Sequence, residues 1–155
     1  EIYTLSLHDA LPIYDCPNSP SGRRVTQPRS WIGDAMSVLL LEYPTCSTCR
    51  KAKKWLDAHG VDYVDRDIVV DNPTAKELAL WHKRSGLPVR RLFNTSGMRY
   101  RELGVKAKLD AGMTDAECYD LLATDGMLVK RPLLVGEDFA IPGFREGTWA
   151  EALGL

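Results

Sequence analysis

An α/β fold is predicted: a β-α-β unit, a block of helices, then a β-β-α unit. Three observations predict it. The apolar run Val38-Leu39-Leu40-Leu41 reads as a buried strand. A helix-forming stretch with one apolar stripe follows it directly. Far along the chain, two short strand candidates, Leu133 to Val135 and Asp138 to Ile141, precede a last helical stretch.

The first strand ends at Pro44-Thr45, and Ser47 to His59 (STCRKAKKWLDAH) continues as a helix. Ala52, Trp55 and Leu56 share a stripe of that helix and Gly60 stops it. Val61 to Val70 (VDYVDRDIVV) begins with apolar-polar alternation and suits a second strand, parallel to the first after a right-handed crossover. Asn72-Pro73-Thr74 opens a helix to about Ser85, with Leu78, Leu80, Trp81 and the aliphatic part of Lys83 as its core face and Gly86 as its end. Pro88 begins a short helical stretch containing Arg90, Arg91 and Phe93. Asn94 to Gly97 loops into the segment Tyr100 to Leu103. Thr114 and Glu117 form a capping-box pattern for a helix to about Ala123. The strand pair joined by Gly136-Glu137 and a helix near Gly147 to Leu153 complete the chain. This order is the thioredoxin-like arrangement with a helical insertion.

The domain is expected to span residues 36–155. Residues 14–30 (YDCPNSPSGRRVTQPRS) are rich in Pro, Ser, Gly and Arg with almost nothing to bury. Tyr3 to Ile13 (YTLSLHDALPI) looks like the in-frame translation of a common sequencing-library adapter. Residues 1–35 are therefore expected to be an artefactual or disordered leader, with Met36 as the start.

Charge and composition narrow the function classes. With 20 basic and 21 acidic residues, the formal charge of −1 gives no electrostatic reason to expect nucleic-acid binding. No apolar run approaches the roughly 20 residues of a membrane-spanning helix, and the opening segment lacks the order of a secretory signal, so a cytoplasmic protein is expected. Four cysteines are too few and too unevenly placed for a disulfide scaffold. The pair Cys46-Ser47-Thr48-Cys49 instead suggests a redox or metal site.

Cys46 falls between strand and helix, where first-turn amides and the helix dipole favour a thiolate. Arg50, Lys51, Lys53 and Lys54 add cationic field, which makes Cys46 the nucleophile candidate. Cys49, three residues on and on the same helical face, is the resolving candidate. Two other readings stand beside this one: small thiols packed at a helix start, and half of a zinc site. The remaining ligand candidates Cys16, Cys118, His59 and His82 show no paired metal spacing, so no metal is expected. Cys118 shares a stripe with Leu121 and Leu122 and reads as core, as do Trp55, Trp81 and Phe93.

Pro44 to Leu56 (PTCSTCRKAKKWL), Phe93 to Leu103 (FNTSGMRYREL) and Leu121 to Pro132 (LLATDGMLVKRP), with Gly143-Phe144-Arg145, resemble the arsenate reductase-like (ArsC) proteins. Within that group they look nearest the arsenate reductase-like branch that stands beside the Spx and MgsR regulators. The resemblance covers nearly all of Met36 to Leu155. It implies that Cys46 corresponds to the oxyanion-attacking cysteine and that Pro132 is a cis proline beside the sulfur. It also implies that Arg131 faces the thiolate, with Arg145 next and Arg90 or Arg91 weakest as oxyanion ligands, because a guanidinium fork matches a tetrahedral oxyanion. In the glutaredoxin-dependent arsenate reductases the position matching Cys49 is not cysteine, so this chain departs toward an internal dithiol-disulfide cycle. No bound cofactor is implied; glutathione, glutaredoxin or thioredoxin would serve as reductant, and a small oxyanion or a protein disulfide as substrate. The alternative it carries is an Spx-like redox switch that binds the C-terminal domain of the RNA polymerase α-subunit.

Overall fold

The structure, a computed structural model, describes residues 37–155. The expectations for residues 1–35 and for Met36 lie outside the described residues. Strand β1 (Val38–Glu42) is parallel to β2 (Tyr63–Asp67) and antiparallel to β3 (Leu133–Val135), which in turn pairs antiparallel with β4 (Ala140–Pro142). The sheet order is β2-β1-β3-β4, a thioredoxin-like fold.

All five residues of β1 are buried, as a central strand covered on both faces demands. Its side chains alternate between two cores. Leu39 and Leu41, with Leu133 and Val135, meet Leu78 and Trp81 of helix α2 (Ala75–Ser85) and Leu122 of helix α5 (Asp115–Thr124). Val38, Leu40 and Leu134 meet Ala52 and Leu56 of helix α1 (Ser47–Ala58) and Trp149 of helix α6 (Glu146–Leu153). Between α2 and α5 lie a 3-10 turn (Val89–Leu92) and two short helices, α3 (Met98–Glu102) and α4 (Val105–Asp110).

Local chemistry moves several boundaries from their expected places. The second strand was expected to reach Val70, but the Asp67 carboxylate accepts from the amides of Val69 at 2.8 Å and Val70 at 3.2 Å, and this turn ends the strand. On α2, Leu78 and Trp81 are buried as expected, whereas Leu80 is 47% exposed and Lys83 faces solvent, off the stripe that meets the sheet. Strand β4 starts two residues late because Gly136 N–H donates to the Phe139 carbonyl and closes a turn first. Helix α4 was not expected; Gly104, at φ 58°, turns the chain out of α3 and into it. Among the described residues, no helix is long and apolar enough to cross a membrane.

The register gathers the loops at one end of the sheet. Leu41 pairs with Leu133, and Leu133 with Pro142. The residues just after β1, just before β3 and just after β4 are therefore neighbours.

Candidate active site

Cys46 is the N-cap of α1, in extended conformation at φ −77° and ψ 120°, and no side chain caps this helix. The amides left open by an uncapped helix start point at the Cys46 sulfur. Burial of the half-buried thiol works to raise its pKa. The amides of Cys49 and Thr48, the Cys49 thiol and the Arg131 guanidinium all hydrogen-bond the sulfur, and together they outweigh burial and pull it below the ordinary cysteine value. Cys49 lies one turn along and is fully buried. Burial first, and then the neighbouring Cys46 and Glu42, push its thiol up to about 12, against a lowering contact from the Tyr43 backbone. At neutral pH the pair is thus one activated sulfur beside one protonated thiol.

Arg131 reaches this sulfur because the start of β3 lies beside the end of β1. Its guanidinium carbon sits 4.9 Å from the Tyr43 ring centroid, and Nη1 donates to Met127 Sδ at 3.5 Å. The Tyr43 ring and the Met127 thioether hold the fork in place, and no carboxylate among the described residues pairs with it. The Arg131–Pro132 peptide is cis. The Pro132 carbonyl accepts from Gly143 N–H at 2.8 Å, which ties the loop after β4 to this point. Trp149 Nε1 donates to the Gly143 carbonyl at 3.0 Å, and Phe144 packs edge-on to Trp149 at 4.9 Å. These contacts hold the loop that carries Arg145.

A cleft of about 480 Å³ opens between these loops and the first turn of α1. Arg91, Lys130, Arg131 and Arg145 line it along with Thr48, and no carboxylate among the described residues does. Arg91 arrives through an isolated bridge between Phe93 and Val129, reinforced by Lys130 N–H donating to the Leu92 carbonyl at 2.7 Å. A cleft with four cations favours a small anion, and Arg131, which lines it, also reaches the Cys46 sulfur.

The structure brings together Cys46, Cys49, Arg131, Pro132 and Arg145 of the residues singled out in the sequence. Arg90 stands apart. Its Nη2 donates to Asp110 at 2.8 Å, and it lines a smaller hollow of about 210 Å³ outside the cleft. Arg91, its neighbour on the 3-10 turn, lines both this hollow and the cleft. Sequence reasoning passed over Thr48, Lys130 and Tyr43. Thr48 was findable as the second residue of the helix turn that holds the thiolate; Lys130 and Tyr43 depend on loop pairing. Cys118 is fully buried and its thiol is raised by burial, then by Asp115 and Glu117, which leaves it a core residue. Among the described residues, no group of three His, Cys, Asp or Glu side chains is placed to hold a metal ion.

The chain is similar to several known proteins. YusI of Bacillus subtilis is 46% identical over 116 residues, which cover 75% of this chain and 98% of YusI. The global transcriptional regulator Spx 2 of Bacillus cereus is 28% identical over 109 residues, or 70% of this chain and 81% of the regulator. A crystal structure from Bacteroides fragilis, of a protein described as related to the ArsC family, superposes with a TM-score of 0.72 at 52% identity, covering 76% of this chain and 98% of its own. Residues 41–152, from the end of β1 to the last turn of α6, match the ArsC family model, and the chain belongs to the ArsC family.

Proposed function

We infer that the protein is a thiol-dependent oxidoreductase in which Cys46 is the nucleophile and Cys49 the resolving thiol. The observation that carries this reading is the placement of Cys46 at an uncapped helix start, with the buried Cys49 one turn on and Arg131 beside it, at the edge of a cleft whose charged lining residues, among the described residues, are all cations. This arrangement lowers the Cys46 thiol and leaves Cys49 pushed up to about 12. The Cys46 thiolate attacks the substrate sulfur or arsenic and forms a covalent adduct, expelling one thiolate of a disulfide or, from protonated arsenate, one oxygen as water. Cys49 then attacks the Cys46 sulfur, a Cys46–Cys49 disulfide forms, and the reduced group leaves with the electron pair of the broken bond. With arsenate, the two electrons of the dithiol convert arsenic(V) to arsenic(III). Glutathione, glutaredoxin or thioredoxin restores the dithiol, in the reducing cytoplasm where such a pair stays available.

The reading is tested with reduced full-length protein exposed to glutathione disulfide or to arsenate. Cys49→Ser is expected to stop at a mixed disulfide on Cys46, seen by mass spectrometry, while the wild type proceeds to the internal disulfide and Cys46→Ser does neither. Arsenite is expected in amounts equal to the disulfide formed. A wild type that forms no Cys46–Cys49 disulfide with either oxidant contradicts the reading.

Identity to Spx 2 favours a second reading, a redox switch whose surface binds the RNA polymerase α-subunit. Under it, immobilised protein captures purified α-subunit in one oxidation state only. The cationic cleft supports the enzyme, because a switch has no need of an oxyanion cradle.

A further inference from the structure

Cys49 poses a chemical difficulty for the dithiol cycle, and the following rests on that cycle. A thiol pushed up to about 12 supplies almost no thiolate at neutral pH, so its attack on a Cys46 adduct needs a base that removes its proton. Glu42 is the buried charged side chain among the described residues, at 4% exposure. It is the last residue of β1, four positions before Cys46. Its Oε1 lies 3.7 Å from Lys53 Nζ, while its Oε2 is buried without a hydrogen-bond partner. A buried carboxylate oxygen without a protein partner destabilises a fold and calls for a role.

Lys53 stands one helical turn after Cys49 on α1, so its contact with Glu42 draws the carboxylate to the stripe of the helix that carries Cys49. We propose that Glu42 is the proton acceptor for Cys49 in the resolving step. In that step the Cys49 S–H bond breaks and its proton passes to Glu42 Oε2. The sulfur lone pair forms the bond to Cys46 Sγ, and the leaving thiolate takes the electron pair of the broken Cys46 adduct bond. No hydrogen bond joins Glu42 to Cys49 in the reduced form, so the proton crosses through one water or on rotation of the Glu42 side chain, with the orphaned Oε2 as the receiving atom.

The charges around Glu42 suit the role. From α1 it faces Lys53, and its charge acts on the Cys49 thiol. From β2 it faces Asp65, held by Lys53 at 2.5 Å, and its register partner Asp67, whose oxygen is occupied by the amides of Val69 and Val70. From the loop before β3, Arg131 is turned toward Cys46, Tyr43 and Met127. Burial raises the Glu42 carboxyl above the ordinary range, Asp65 and Asp67 add to the rise, and Lys53 opposes it. The result is a stronger base than an exposed glutamate.

The test uses full-length protein carrying Cys16→Ser, loaded at Cys46 with thionitrobenzoate from Ellman's reagent, and follows release of the coloured thiolate in a single turnover. Release in the parent is expected to rise with pH as Glu42 ionises. Glu42→Gln is expected to slow release roughly 100-fold at neutral pH, the usual scale for a lost general base, and to replace the plateau with a steady rise toward alkaline pH. Glu42→Asp recovers part of the rate. Far-ultraviolet circular dichroism and the thermal melt of each variant, unchanged from the parent, confirm its fold. Lys53→Met removes the cation that lowers the Glu42 carboxyl and shifts the rise in release to higher pH. Release from Glu42→Gln at or above the parent rate overturns the proposal, as does an unmoved profile in Lys53→Met. Release from the parent no faster than from Cys49→Ser overturns the dithiol cycle itself, a separate failure.

Discussion

Helices α1 and α2 each follow a strand of the parallel pair, yet they begin in opposite ways. At the start of α2, Thr74 accepts from the Glu77 amide and the Glu77 carboxylate reaches back to the Thr74 amide, a complete capping box. Burial works to raise the Glu77 carboxyl, but Arg66 and Thr74 outweigh it and hold it low. At the start of α1 the N-cap is Cys46, the first turn holds no acidic residue, and no side chain serves the amides. The same four orphan donors that Thr74 and Glu77 quiet in α2 are left in α1 to a sulfur, and the field of the helix acts on that sulfur. A helix start closed on itself adds stability; one left open adds reactivity.

The largest effect expected from disturbing this contrast is on the cleft beside α1. Losing one charge-assisted contact to a bound oxyanion costs about 1.5–3 kcal/mol, so Arg131→Met is expected to weaken arsenate affinity by roughly 10- to 100-fold in calorimetric titration. The same change raises the Cys46 pKa toward the ordinary value, though by less than loss of the amides would, since Arg131 ranks below them among its causes. Arg90→Met, outside the cleft, is expected to leave affinity unchanged; an equal loss from both variants would break the assignment of the cleft.

A smaller effect belongs to stability. Thr74→Ala is expected to lower the unfolding free energy by about 1 kcal/mol in urea titration, with no change in Cys46 alkylation. Cys46 behaves differently because its pKa is lowered on folding. A lowered acid stabilises the fold above its unfolded value and loses that contribution as pH falls through the folded value. Wild-type stability therefore gains as pH rises from the folded Cys46 value to about 8.5, and Cys46→Ser lacks that gain. A Cys46→Ser protein with the wild-type pH dependence would sever the link between the open helix start and the thiolate.

Much of this was legible in the sequence, and for physical reasons. Strand β1 declared itself because a strand buried on both faces reads as a continuous apolar run, here Val38 to Leu41, and α1 because Ala52, Trp55 and Leu56 share one stripe that Gly60 ends. Thr114 and Glu117 are close enough along the chain for their cap to be read from spacing alone. The core face of α2 was half legible: Leu78 and Trp81 lie on the stripe facing the sheet, but nothing local told Leu80 from them. The cleft was the least legible part. Arg91 meets Lys130 only because Phe93 bridges Val129, and Arg90 is diverted by Asp110, both consequences of how the helical block folds back on the sheet. Glu42 carried no signal either, since a glutamate ending a strand is ordinary until its burial is known.

The most direct test is the pH dependence of alkylation by iodoacetamide, read separately at Cys46 and Cys49 by mass spectrometry on the full-length protein. The account predicts half-maximal reactivity of Cys46 below about 8.5, the free-thiol value, while Cys49 stays unmodified throughout the neutral range. Cys46 titrating at or above the free-thiol value, or both sulfurs titrating together, would contradict it.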